Sequence, residues 1–186
     1  CNEKAQTIHK HIYRQRTNAS YESTFSLNLN RERDTVFIVD EASMLSNCSS
    51  AADTLFGSGS LLEDLIKYVR SGQRCRLILV GDSAQLPPVG ADHSPALDPT
   101  ELLPYGEVEY ASMDDVVRQD ADSGILFNAT MLRCMLENGL YEVPQFDMQY
   151  PDFEAISGAD LLESLQDAYD RYGKDEVIVV TRSNKR

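Results

Sequence analysis

Two apolar runs, within residues 35–39 and 76–80, dominate the hydrophobic pattern of the chain. Such runs are typical of strands that are buried on both faces of a parallel sheet. The first run ends at Asp40–Glu41 and the second at Gly81–Asp82. In open α/β sheets, ligands bind at the carboxyl ends of the strands. We therefore predict two buried, parallel strands that deliver polar groups to one edge of a single sheet.

The segment between these two strands has helical periodicity. Apolar residues recur at helical spacing from Leu61 to Val69, and Gly72 follows them. The resulting strand–helix–strand order predicts a right-handed parallel crossover. Similar periodicity predicts helices within residues 4–13, 122–138 and 159–172, and strand-like patterns mark residues 21–30, 107–111 and 176–180.

The charge of the chain is strongly negative and unevenly distributed. The 186 residues carry a formal net charge of −13, which is unusual for a protein that binds nucleic acid. Residues 1–33 carry six Lys/Arg and three Asp/Glu, residues 34–173 carry seven and 25, and residues 174–186 carry four and two. The basic ends attract phosphates, whereas the acidic middle favours solubility. We therefore expect the isolated chain to bind DNA weakly.

Cysteine spacing and hydropathy indicate the compartment. The four cysteines are widely spaced and include no Cys-x-x-Cys pair, which favours free thiols in a reducing cytosol. No apolar run approaches the ~20 residues of a membrane-spanning helix, and no signal peptide is visible. We expect a cytoplasmic protein without a membrane partner.

The polar residues after the two apolar runs suit nucleotide chemistry. An Asp-Glu pair at the end of a buried strand is typical of a Walker B element, in which Asp40 holds Mg²⁺ and Glu41 orients the attacking water. The alternative is a strand that leaves the sheet through a polar turn. After the second run, Pro87 and Pro88 stiffen a loop that holds Gln85 in place.

These two stretches also carry a family resemblance. The sequences DEASM at residues 40–44 and GDSAQLPPVG at residues 81–90 resemble motifs II and III of superfamily-one DNA helicases. The similarity is to the branch that contains RecD, the alpha subunit of exodeoxyribonuclease V, and its Dda-like and Pif-like relatives. It implies an α/β fold of the RecA-like P-loop NTPase class, with three layers and a mostly parallel sheet. It also implies ATP and Mg²⁺ as cofactors.

The resemblance assigns roles to individual residues. Asp40 would bind the metal, and Glu41, Gln85 and Arg118 would act in catalysis on the γ-phosphate. Arg118 belongs to a short Arg-Gln sequence that resembles the element whose arginine reaches across the cleft between the two motor domains. On the residues alone, the alternative for Arg118 is an ion pair with Asp114 or Asp115.

The resemblance also implies contacts with single-stranded DNA. Residues 7–9 match a Thr-x-His motif, and residues 181–186 are similar to motif IVa. The implied nucleic-acid-binding residues are Thr7, His9, Pro87, Pro88, Thr181, Arg182 and Asn184. Without the resemblance, the residues would indicate that Thr7 caps a short helix. They would equally indicate that the tail after residue 180 is a plain strand end.

The resemblance divides the chain into two domains. Residues 1–111 correspond to a first RecA-like motor domain, with a small inserted element at 14–34, and residues 112–186 correspond to the start of a second. No GxxxxGK[ST] sequence occurs in the chain, so the phosphate-binding loop is absent.

We therefore expect an internal fragment of an ATP-dependent DNA helicase or translocase of the RecD type, inactive by itself. Its expected partners are single-stranded DNA or duplex ends, and other exonuclease or helicase subunits. The alternative is a binding or interaction module on a degenerate RecA-like fold that has lost its nucleotide site.

Overall fold

A computed structural model describes residues 5–17, 23–48, 56–113, 115–117 and 122–181. The chain divides into two compact units, Cys1–Met113 and Asp114–Arg186. The division lies two residues from the predicted domain boundary. The described residues form two small sheets, both in the first unit, and helices in both units. The helices in this part of the chain are all too short or too polar to cross a bilayer.

The first unit begins with a short helix and a hairpin. Helix α1 covers only Ile8–Ile12, and strand β1 starts directly after it at Tyr13–Thr17. The predicted helix at 4–13 is therefore too long, because the buried Tyr13 already has the extended conformation of a strand. Strand β2, Ser23–Leu27, pairs with β1 in antiparallel orientation.

The alternation predicted within residues 21–30 is confirmed in the strand itself. Phe25 and Leu27 pack against the hydrophobic core, whereas Leu29 lies beyond the strand and is exposed. Ring stacking between Phe25 and Phe56 joins the hairpin to the rest of the unit.

The two predicted motif strands pair in parallel. Strand β3 covers Val36–Val39 and strand β4 covers Arg76–Leu79, in the register Val36 with Arg76 through Val39 with Leu79. Helix α2, Leu61–Ser71, connects them and is capped by the Ser60 hydroxyl, which accepts from the Glu63 amide. The predicted strand–helix–strand unit is thus confirmed.

Only one face of this sheet is buried. Phe37, Val39, Leu77 and Leu79 pack toward the apolar side of α2, which supplies Leu62, Leu65, Ile66 and Val69. On the opposite face, Ile38 is 68% exposed, and Val36 and Ile78 are also exposed. The prediction of burial on both faces is therefore wrong. Within the described part of the chain, the two strands have a helix packed on one side only.

The remainder of the first unit is mostly loop. Helix α3 is the single turn Pro99–Leu102, begun by Asp98, whose carboxylate accepts from the Thr100 amide. A 3₁₀ turn follows at Leu103–Tyr105. The strand predicted at 107–111 is wrong, because these residues have no strand partner in the described structure and are largely exposed.

The second unit contains two longer helices. Helix α4 is Gly124–Glu137 and helix α5 is Leu161–Tyr172, within the predicted ranges. Helix α5 has no buried residue, and Leu162 on this helix is 80% exposed. The strand predicted at 176–180 is also wrong. A 3₁₀ turn covers Lys174–Glu176, and Ile178 is 85% exposed.

The fold class is therefore α/β with two two-stranded sheets, one antiparallel and one parallel. A sheet needs hydrogen-bonding neighbours, and the Val177–Val180 segment has none among the described residues. The larger, mostly parallel sheet expected from the resemblance is not formed by this part of the chain.

Candidate functional site

Backbone hydrogen bonds tie together the carboxyl ends of β3 and β4. The Val80 amide donates to the Val39 carbonyl at 2.8 Å, and the Ala42 amide donates to the Val80 carbonyl at 2.9 Å. The pairing thus continues beyond the strands and holds residues 40–42 beside residues 80–82. Because the strands are parallel, the two polar segments leave the sheet at the same edge.

Glu41 has an unusual backbone conformation. Its φ of 54° and ψ of 40° lie in the left-handed region, which few non-glycine residues occupy. The Glu41 amide donates to Asp40 Oδ1 at 3.0 Å, and a 3₁₀ turn at Ala42–Met44 follows. Such conformations cost about 1–3 kcal/mol and cluster at functional sites. The turn leaves the side chains of both acids exposed at the sheet edge.

Gly81 allows the two segments to approach closely. A Cβ at this position would lie 3.0 Å from the Ser43 amide nitrogen and 3.0 Å from Leu97 Cδ1. Ser43 is 0% exposed, and its hydroxyl has no hydrogen-bond partner among the described residues. The glycine is therefore needed because the turn after β3 packs directly against it.

The loop after β4 is built from short turns. Asp82 Oδ1 accepts from the Ala84 amide at 3.0 Å, and the Asp82 carbonyl accepts from the Gln85 amide at 3.1 Å. Pro88 is buried and Pro87 half-buried, and the Gln85 side chain is exposed. These hydrogen bonds fix the backbone of Gln85 in a turn that begins at Asp82. Asp82 follows β4 at the same sheet edge as Asp40.

The exposed acids fit a magnesium ion that arrives with phosphates. Asp40 and Glu41 form no ion pair with another described residue. Mg²⁺ usually takes one or two carboxylates and keeps several waters, so Asp40 could hold it with few further protein ligands. The described residues contain no group of three or more His, Cys, Asp or Glu side chains that could hold a metal. The described residues therefore do not by themselves supply a complete set of metal ligands.

The predicted Thr-x-His residues have structural contacts. Thr7 caps α1, because its hydroxyl accepts from the Lys10 amide at 3.4 Å. The His9 ring is half-buried, 5.0 Å from the Phe56 ring in an edge-on arrangement and 5.7 Å from the Tyr13 ring. These contacts support the capping alternative for Thr7. The DNA-binding role of both residues stays a prediction.

Three of the predicted site residues lie outside the described part of the chain, namely Arg118, Arg182 and Asn184. Thr181 is described and exposed, and it follows the exposed residues 178–180 of the second unit. The structure therefore brings together Asp40, Glu41 and the loop of Gln85, all in the first unit.

Ser43 and Gly81 help to shape this site, but the sequence did not predict them as site residues. Ser43 belongs to the DEASM sequence, but only the packing shows it to be fully buried. Gly81 carried a usable signal, since a glycine directly after a strand often marks a close backbone approach. The left-handed conformation of Glu41 had no signal, because glutamate is not a residue that favours it.

Comparison with known proteins identifies the family of the chain. The family model described as AAA domain matches residues 1–133, which is more than half of the chain and includes both motif strands. No curated protein and no solved structure matches the chain. The two paired strand ends, with their acids and their loop, lie within the matched region. The chain therefore belongs to the AAA domain family of nucleotide-binding P-loop NTPases.

Proposed function

We propose that this chain is the central part of an ATP-dependent DNA helicase or translocase of the RecD type, in which ATP hydrolysis drives movement on single-stranded DNA. The observation that carries the proposal is the joined edge of β3 and β4, where Asp40–Glu41 and the Gln85 loop leave neighbouring parallel strands. The family match supports a nucleotide-hydrolysing enzyme, and the DEASM and QLPPVG sequences favour the helicase branch.

In this proposal, each residue at the edge has one task. Asp40 would hold Mg²⁺, usually through water, and the ion would supply neutralisation of charge on the phosphates. Glu41, exposed at the sheet edge, accepts a hydrogen bond from the attacking water and orients it. Gln85 contacts the γ-phosphate from the neighbouring loop.

Arg118 completes the proposed machinery from the second motor domain. An arginine at this position would stabilise charge on the transferred phosphoryl group when the interdomain cleft closes. The enzyme is cytoplasmic in this proposal. It acts on single-stranded DNA or duplex ends, alone or with other exonuclease or helicase subunits. The phosphate-binding loop would come from sequence outside this chain.

The test uses the longer protein, with a phosphate-binding segment joined to residues 1–186. Glu41→Gln should keep ATP binding, measured with a fluorescent ATP analogue, and lose DNA-stimulated turnover. Glu32→Gln is the matched control, because Glu32 is exposed and lies at the opposite, amino end of β3. Unchanged turnover in Glu41→Gln, or equal loss in both variants, would show that the proposed site is not the catalytic one.

A second function is a binding module that needs no nucleotide. The absence of any GxxxxGK[ST] sequence from the chain favours it. The sequence that the gene encodes ahead of residue 1 distinguishes the two functions. A strand followed by a GxxxxGK[ST] loop ahead of residue 1 supports the enzyme, and its absence from the whole gene supports the module.

A further inference from the structure

The turn that carries the two acids contains a buried hydroxyl without a partner. Ser43 is 0% exposed, and its Oγ has no hydrogen-bond partner among the described residues. Buried hydroxyls are normally paired, and an unpaired one lowers stability because it has lost its hydrogen bonds to water. Alanine would fill nearly the same space without that cost. The hydroxyl of Ser43 therefore does not stabilise the turn in the conformation described here.

Glu41 is a second unfavourable feature of the same turn. Its φ of 54° lies in the left-handed region, which strains a residue that has a side chain. The Glu41 amide also donates to Asp40 Oδ1, so this conformation occupies an oxygen of the acid that is proposed to hold the metal. Strain stored beside a functional group is a feature of turns that have two conformations. The unpaired hydroxyl and the strained backbone together point to a second conformation of this turn.

Two backbone hydrogen bonds hold the chain on either side of the peptide group between Asp40 and Glu41. The Val80 amide donates to the Val39 carbonyl at 2.8 Å, and the Ala42 amide donates to the Val80 carbonyl at 2.9 Å. A peptide plane between two such anchors can rotate as a unit, because the rotation changes only ψ of Asp40 and φ of Glu41. This rotation takes φ of Glu41 out of the left-handed region. It also reverses the Asp40 carbonyl and withdraws the Glu41 amide from the Asp40 carboxylate.

We propose that Ser43 is a positioning residue for the two acids, and that its hydroxyl donates to the Asp40 carbonyl once the peptide between Asp40 and Glu41 has rotated. Serine hydroxyls commonly bond to a carbonyl three residues earlier in a helical turn. The rotated turn pairs the buried hydroxyl, relieves the strain at Glu41 and frees the Asp40 carboxylate. The proposal rests on the proposed function, in which that carboxylate is needed at the metal. Ser43 acts through the turn and does not touch the substrate.

The first measurement uses the 186-residue chain and needs no nucleotide. Ser43→Ala removes an unpaired hydroxyl, so the urea midpoint should stay the same or rise. Ser60→Ala is the matched control in the same unit, because Ser60 is 5% exposed and its hydroxyl accepts from the Glu63 amide at 3.3 Å. It should lower the midpoint, as expected for the loss of a helix cap. An equal fall in both variants would show that the Ser43 hydroxyl is paired in the folded chain, and would overturn the proposal.

The second measurement uses the longer protein, with a phosphate-binding segment joined to residues 1–186. Ser43→Ala should lower kcat for DNA-stimulated ATP hydrolysis about 3- to 10-fold, the effect of one hydrogen bond, and change KM for ATP by less than about 2-fold. Ser60→Ala should change neither constant at a temperature where the variant is folded. Addition of Mg²⁺ and a non-hydrolysable ATP analogue should shift the NMR signal of the Asp40 carbonyl carbon. The shift should be absent from Ser43→Ala.

The outcomes distinguish a failure of this proposal from a failure of the proposed function. If Glu41→Gln abolishes turnover but Ser43→Ala keeps its kcat, the site is catalytic and Ser43 does not position it. An Asp40 carbonyl signal that shifts equally in Ser43→Ala would also overturn the proposal, as would an equal fall of kcat in Ser60→Ala. A shift that needs the Ser43 hydroxyl supports the rotated turn even if Glu41→Gln leaves turnover unchanged.

Discussion

At the scale of single residues, Gly81 has the clearest consequence. Gly81→Ala should push the 42–44 turn away from β4, since the added methyl group would lie 3.0 Å from the Ser43 nitrogen. The hydrogen bond from the Ala42 amide to the Val80 carbonyl should weaken, and the unit should lose about 1–3 kcal/mol of stability. Amide hydrogen exchange at Ala42 measures the effect.

Gly158→Ala is the control for this substitution. A Cβ at Gly158 would meet no atom within 4 Å. Its effect on stability should be within about 0.5 kcal/mol. Equal exchange rates at Ala42 in Gly81→Ala and in the unaltered chain would contradict the close packing described for the site.

The buried carboxylate of Asp64 fixes the hairpin to α2. Asp64 is 3% exposed, and its Oδ2 accepts from the Tyr13 hydroxyl at 2.8 Å and from the Ser58 amide at 2.9 Å. Tyr13→Phe should cost about 1–3 kcal/mol, because it removes a donor from a buried charged group. Urea unfolding measures the loss. Tyr172→Phe, at an exposed position, should leave the midpoint unchanged.

At the scale of elements, the start of helix α4 depends on an acid from a distant loop. Asp152 accepts from the Ser123 hydroxyl at 2.6 Å and from the Gly124 amide at 2.8 Å. Chiefly the Ser123 hydroxyl, with help from the Gly124 and Ile125 amides, holds the pKa of Asp152 below its usual 3.8. The folded state therefore favours the charged form. Its contribution to stability is fully present above pH 3.8 and is lost as the pH falls through the lower folded pKa.

This linkage gives a test by pH titration. Asp152→Asn should lower the helical content of the chain at neutral pH, and the difference from the unaltered chain should shrink as the pH falls below 3.8. Far-UV circular dichroism measures the helical content of both proteins at each pH. Glu154→Gln, an exposed carboxylate two residues away, should not change the acid-induced loss of helix. A constant difference between Asp152→Asn and the unaltered chain at every pH would exclude the charge as the cause.

The loop before Asp152 is held to the same helix by a buried amide. Asn128 is 2% exposed; its Nδ2 donates to the Gly124 and Asp147 carbonyls, and its Oδ1 accepts from the Asp147 amide. Asn128→Ala leaves these groups without partners, so residues 144–153 should be cleaved faster by proteases. Asn138→Ala, at the exposed end of α4, serves as the comparison and should leave cleavage of this loop unchanged.

The elements also show how far the sequence predicts the fold. β3, α2 and β4 were predicted because each has a partner within the chain, so local pattern and packing agree. The Val177–Val180 segment has an equally strong strand pattern but finds no neighbouring strand among the described residues. A strand pattern describes a residue's preference, whereas a sheet requires a second segment. The same limit applies to Ile38. Its apolar side chain suits a buried strand, but burial requires another segment packed on that face of the sheet.

In the candidate site, too, some features could be predicted from the sequence and others could not. Asp40, Glu41 and Gln85 were found because chemistry and strand ends coincide in the sequence. The left-handed turn at Glu41 and the buried Ser43 depend on packing between segments that are distant in the sequence, so no local pattern contains them.

At the scale of the whole molecule, we predict no ATP hydrolysis by the chain alone. It contains no GxxxxGK[ST] sequence to supply a nest of amides for the phosphates. A coupled phosphate-release assay with Mg²⁺ should give the same rate for the unaltered chain and for Glu41→Gln. Turnover that depends on Mg²⁺ and disappears in Glu41→Gln would show that the chain has another way to hold the phosphates.

The exposed apolar face of β3 and β4 affects the solubility of the protein. Val36, Ile38 and Ile78 place apolar surface next to solvent, and the net charge of −13 keeps molecules apart. Near the isoelectric point of about 4.5 this repulsion vanishes. Concentrated solutions should then cloud first in acid, and at neutral pH only when added salt screens the charge. This exposed apolar side of the sheet thereby limits the pH and salt concentration at which the protein can be stored.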